Sequence, residues 1–68
     1  MNRPKYLLDV DAVQDALNDA GSEGLLMKEL VAKTKLHYAA VQQASVYLRN
    51  AHRIKYGYQG RKIRFYSL

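Results

Sequence analysis

Apolar residues in this sequence change their spacing as it proceeds, and those changes divide it into elements. Val10, Val13, Leu17 and Ala20 recur at the interval of one helix face, while Asp11, Gln14, Asp15, Asn18 and Asp19 fall on its other sides. A first helix is therefore expected over 9–20. Asp9 suits its N-cap, Leu8 and Val13 flank that cap at the spacing of a hydrophobic staple, and Gly21 suits a left-handed stop. Gly21 to Gly24 reads as a loop, and Leu25-Leu26 as a very short strand or an extended lead-in. A second helix over 27–34 turns Leu30 and Val31 inward and Lys28, Glu29 and Lys33 outward. Lys35-Leu36-His37 is the turn after it, with Leu36 plugging the corner between helices. A third helix over 37–51 carries Val41, Ala44, Ser45 and Leu48 on its inner side, with Tyr47, Ala40 and Ala51 on a flank that closes over the first helix.

After the third helix the period falls to two. Ile54, Tyr56 and Tyr58 alternate with Arg53, Lys55 and Gly57, and Ile63 and Phe65 alternate with Lys62, Arg64 and Tyr66, which predicts a hairpin over 53–67. A two-residue turn at Gln59-Gly60 would set Tyr58 opposite Arg61, Tyr56 opposite Ile63 and Ile54 opposite Phe65. One face is then apolar and faces the core. The other sets Lys55 against Arg64, a like-charge opposition that an anionic partner would relieve. The fold class is mainly α with a C-terminal β-hairpin.

Charge divides the chain more sharply than its total of +5 suggests. All six carboxylates lie at or before Glu29, whereas from Lys35 onward there are seven Lys or Arg and no acid. A basic half of this kind attracts polyanions, because each neutralised phosphate releases a condensed counterion. The acidic first helix is expected to lie away from any such partner. Met1 to Tyr6 reads as a flexible basic arm, since Pro4 disfavours helix at Arg3 before it. At 68 residues the chain is read as a single domain; a chain of this size buries only about 60% of its unfolded surface. It contains no cysteine, so neither disulfides nor a thiolate zinc site support the core.

The outer side of the third helix collects Ala39, Gln42, Gln43, Val46, Arg49 and Asn50. Small, amide-bearing and nearly uncharged, it makes a poor solvated face and a good base-reading one: Gln pairs with adenine N6 and N7, and small side chains lie against a thymine methyl. Ordinary surface glutamine is the alternative for Gln42 and Gln43. Tyr38, in the first turn, can donate to a phosphate. The amide-bearing side and the basic hairpin are expected to point the same way and make one footprint that includes Gln43 and Arg61.

Leu25 to Leu68 resembles the winged helix-turn-helix superfamily of small prokaryotic and phage DNA-binding regulators. The run Leu48-Arg49-Asn50-Ala51-His52-Arg53-Ile54 looks like that family's passage from recognition helix into wing, with His52 at the position usually held by glycine. A left-handed conformation is expected at His52, which histidine tolerates better than branched residues do. Arg53 stands where an aliphatic residue is common, and His37 where Ser or Thr often caps the recognition helix. The resemblance implies three helices plus a wing, and sequence-specific binding of double-stranded DNA in transcription regulation. In that reading Tyr38, Ala39, Gln42, Gln43, Val46 and Arg49 read or flank the major groove, while Lys55, Arg61, Lys62 and Arg64 contact backbone. A homodimer or cooperative binding is expected, because one small module buries only about 600 to 1,000 Å² on DNA.

Other classes find less in the sequence. His37 and His52 have no cysteine or paired carboxylate at ligand spacing, and no glycine-rich phosphate loop occurs, so no metal, cofactor or enzymatic activity is expected. No membrane segment is expected either, and a cytoplasmic or nucleoid-associated location is the default. Two rivals stay open: a protein-interaction module that engages an acidic partner, and RNA binding through exposed tyrosines.

Overall fold

The computed structural model describes residues 4–68. Its elements are α1 (Lys5–Ala20), a single 3-10 turn (Gly21–Glu23), β1 (Leu25–Leu26), α2 (Met27–Thr34), α3 (Tyr38–Asn50), β2 (Ile54–Gln59) and β3 (Lys62–Ser67). The chain is mainly helical, and its strands form a three-stranded antiparallel sheet in the order β1-β3-β2.

The three helices enclose a core in which Val13, Leu17, Leu30, Val41 and Leu48 are fully buried. Ile54 and Phe65 extend that core under the sheet, and Leu25, Met27, Val31, Leu36 and Ile63 pack at its margin. Burying each such aliphatic side chain contributes about 1.5–3 kcal/mol. Leu36 does fill the corner between α2 and α3. The corner itself is made by Lys35, which ends α2 in the left-handed conformation (φ 59, ψ 23) and donates its N–H to the Val31 carbonyl at 2.8 Å.

α1 begins earlier than its apolar spacing suggests. Pro4, not Asp9, is the N-cap, and its carbonyl accepts from the N–H groups of Leu7 and Leu8. Asp9 lies inside the helix and Leu8 is exposed, so no staple forms there. A proline at the threshold of a helix brings a φ already near the helical value and no N–H to leave unpaired. Of the expected basic arm, Lys5 and Tyr6 are therefore helical, while residues 1–3 lie outside the described residues. Gln14, expected on the solvent side, is buried; its Nε2 donates to Asn18 Oδ1 at 3.0 Å and to Ser67 Oγ at 3.2 Å, and Ser67 Oγ donates to Asn18 Oδ1. This polar cluster fastens the end of β3 to α1.

α2 runs over the expected residues and has an apolar N-cap, Leu26. Its first turn is satisfied from the other direction: the Leu26 N–H donates to Glu29 Oε1 at 2.7 Å, the carboxylate half of a capping box. At the far end of α3, Arg53 N–H donates to the Leu48 carbonyl (2.9 Å) and His52 N–H to the Arg49 carbonyl (3.0 Å), with His52 at φ 57. These two bonds and that left-handed residue make a Schellman motif, with histidine where glycine is usual.

The hairpin register differs from the expected one. The pairs are Ile54↔Ser67, Tyr56↔Phe65, Tyr58↔Ile63 and Gln59↔Lys62, so the two turn residues are Gly60 and Arg61. Gly60 has φ 62 and Arg61 does not share the positive sign, which places the glycine first in the turn, as type II′ requires. The side-chain faces are those expected, because each partner moves by two residues. The like-charge opposition disappears: Lys55 faces Tyr66, with its Nζ 5.8 Å from the ring centroid, and Arg64 faces Gly57.

Gly21 and Gly24 both have positive φ, but only at Gly24 would a Cβ collide, meeting the Phe65 carbonyl oxygen and, at 2.6 Å, the Tyr66 ring. Gly24→Ala is expected to destabilise by about 3 kcal/mol or more and Gly21→Ala by about 1–2 kcal/mol, read as the difference in urea midpoints. His52→Gly relieves the left-handed residue and is expected to raise stability by about 0.5–1 kcal/mol in the same measurement.

Candidate nucleic-acid interface

The buried stripe of α3 fixes what its other side presents. With Val41, Ala44, Ser45 and Leu48 buried, Ala39, Gln42, Gln43, Val46, Arg49 and Asn50 are exposed, and Val46 keeps 41% of its surface. The hairpin arches beside this helix. A trough of about 190 Å³ runs between them, with Tyr38, Gln42, Val46 and Arg49 along one wall and Tyr56, Tyr58, Ile63 and Phe65 along the other.

The tyrosines of that second wall follow the core-side alternation of β2 yet are not core. Tyr56 is 41% exposed and Tyr58, beside the hairpin turn, 71%. Tyr56 holds the Arg49 guanidinium over its ring at 5.2 Å, and Tyr56 and Tyr58 meet edge to face at 6.1 Å. A guanidinium over an aromatic face is held in place while its N–H fork remains free to meet an anion.

The expected site residues fall into three groups. Tyr38, Gln42, Val46 and Arg49 line the trough, with Ala39 on the exposed side of the same helix. Arg61 and Lys62, at the hairpin tip, are exposed beside Lys28 and Tyr38. Gln43, Lys55 and Arg64 lie elsewhere. Gln43 is exposed but borders a shallow hollow with Tyr6, Asp9 and Tyr47 of the α1 side, so Gln42, not Gln43, adjoins the hairpin. Lys55 is on the sheet face turned from the trough, over Tyr66. Tyr47, expected in the core, is 44% exposed and packs edge to face on Tyr6 at 6.4 Å.

Arg64 is engaged inside the molecule. Its Nη1 donates to the carbonyls of Glu23 (3.1 Å) and Gly24 (3.4 Å) and lies 3.7 Å from Glu29 Oε1, while its Nε donates to Gln59 Oε1 at 3.1 Å. It clamps the loop before β1 onto β3, and those bonds hold its Nε and Nη1 inside the molecule. Lys33 is likewise spent on Asp19, at 2.6 Å; that hydrogen bond, with the attraction between the two charges, holds the Asp19 carboxyl below its ordinary range. Arg49, Lys55, Arg61 and Lys62 have no ion-pair partner among the described residues. The trough is lined by no carboxylate.

Tyr56 and Lys28 do not stand out in the sequence as site residues, whereas Tyr58 belongs to the expected projecting tip with Gln59, Arg61 and Lys62. Tyr58 adjoins the hairpin turn, where strand alternation does not by itself imply burial. Among the described residues no group of three or more His, Cys, Asp or Glu side chains is arranged to hold a metal ion, and no helix is long and apolar enough to cross a membrane. The chain matches no protein-family model, no curated protein and no solved structure.

The division between Arg64 and the tip cations is measurable in the unliganded protein. Arg64→Ala is expected to cost about 1–3 kcal/mol of stability through its lost charge-assisted bonds, while Arg61→Ala and Lys62→Ala stay within about 0.5 kcal/mol of wild type in urea denaturation.

Proposed function

We propose that this protein binds double-stranded DNA as a winged helix-turn-helix regulator, with α3 as recognition helix and the β2–β3 hairpin as wing. The observation that carries the reading is the amide-bearing face of α3 with Arg49 along a trough that has no carboxylate in its lining, together with the exposed cations Arg61 and Lys62 at the hairpin tip. Gln42 and Val46 suit base edges in the major groove, the one an adenine and the other a thymine methyl. Arg61 and Lys62 suit phosphates, which position the helix and carry no sequence information. Arg49, steadied on Tyr56, sits between these two roles. The acidic residues of α1 belong to the side turned from the nucleic acid, where repulsion of phosphates does no harm. One module of this size covers too little DNA for high specificity alone, so cooperative binding or a dimer on two half-sites belongs to the proposal.

The exposed Val46, Tyr56 and Tyr58 favour the rival, a module that docks on an acidic protein. Titration of labelled duplex at two salt concentrations separates the two. Phosphate contacts predict an affinity that falls steeply with salt, and Arg61→Glu with Lys62→Glu should reduce the slope of log K against log salt by about 2. Gln42→Ala should keep that slope and relax preference at one base pair, by about 1–3 kcal/mol. Absence of duplex binding at low salt would remove the proposal and leave the interaction module.

A further inference from the structure

On the far side of Tyr38 from the trough a larger hollow, about 500 Å³, opens between α2 and the hairpin tip. Its walls are Met27, Val31, Tyr38, Ile63 and Phe65, and its rim carries Lys28, Arg61 and Lys62. All three cations are exposed, none has an ion-pair partner among the described residues, and no carboxylate lines the hollow. The volume is within the range of small-molecule sites, roughly 300–1,000 Å³.

The composition selects the occupant. An inorganic anion would meet the rim cations but gain nothing from the walls, and a sugar would leave its hydroxyls unpaired against Val31, Ile63 and Phe65. A neutral hydrocarbon would fill the walls and ignore three ammonium or guanidinium groups. A molecule with a flat apolar body and one anionic group answers both halves: its ring lies against the Tyr38 and Phe65 side chains while its anion sits among the rim cations. We propose that this hollow binds a small aromatic carboxylate. Because Arg61 and Lys62 are also the cations assigned to phosphate, occupancy should oppose DNA binding; that consequence rests on the DNA reading, whereas the binding itself does not.

The probe is naphthalene-2-carboxylate, with naphthalene-2-methanol as its neutral counterpart, titrated into ¹⁵N-labelled protein at low salt. The acid is expected to bind at least about tenfold more tightly than the alcohol, the difference a charge-assisted contact supplies. Amide shifts should concentrate at Leu26, Met27, Val31 and Ile63. Lys28→Glu, at an exposed position that leaves the fold intact, should weaken the acid several-fold and spare the alcohol. Equal binding of acid and alcohol, shifts centred on Gln42 and Val46, or no binding of either at millimolar concentration would each overturn the site. In a second arm, saturating acid should weaken a mixed-sequence duplex several-fold. Acid bound with duplex affinity unchanged overturns the competition, and acid bound by a protein that never binds duplex overturns the DNA reading while the hollow's assignment stands.

Discussion

Pairing of Leu25 and Leu26 with Phe65 and Arg64 is what gives this small chain a site at all. Without that contact β3 would lose one of its two strand neighbours, leaving a two-stranded ribbon, which is marginally stable in water. With it, β3 becomes the central strand, pinned to the start of α2 on one side and to β2 on the other. Two local features permit the approach. Gly24 lets the backbone pass where a Cβ would strike Phe65 and Tyr66, and Arg64 closes the seam by donating to the carbonyls of Glu23 and Gly24. The guanidinium thus ties the loop before β1 to the central strand.

Geometry and charge then act together. α1 covers the back of the helix pair and keeps most of the carboxylates there, while Arg49, Lys55, Arg61 and Lys62, without ion-pair partners among the described residues, sit on α3 and the hairpin. Side chains that alternation assigns to the interior surface again at Tyr56 and Tyr58, one of them supporting Arg49. Tyr38 stands between two recesses, the trough beside α3 and the hollow beside α2, and the hairpin tip overlooks the second.

Much of the fold was legible in sequence because local preferences and packing agree. α2 and α3 were readable from Leu30, Val31, Val41 and Leu48, and the left-handed turn at His52 from its place after a leucine-ended helix. The errors have specific causes. Asp9 has the chemistry of a cap, but Pro4 opens the helix earlier and a mid-helix aspartate costs little. The glycine in Gln59-Gly60 was read as second in its turn, whereas a type II′ turn takes it first, which moved every cross-strand partner by two. Gln14 is polar by type yet buried, because Asn18, one turn on, and Ser67, distant in sequence, satisfy its amide nitrogen. Arg64 gave no local sign that its partners would be carbonyls before β1. Such long-range pairings decide which cations are free, and spacing does not reveal them.

Side-chain amide resonances offer the most direct test of the α3 and hairpin face as the nucleic-acid surface, since Gln42 lies on it and Gln14 and Asn18 lie behind. On adding a mixed-sequence duplex at low salt to ¹⁵N-labelled protein, the side-chain signals of Gln42 and the backbone amides from Tyr58 to Lys62 should move, while those of Gln14 and Asn18 remain in place. Signals that move at Gln14, Asn18 and the outer side of α1 instead, or a spectrum that does not change, would contradict the account.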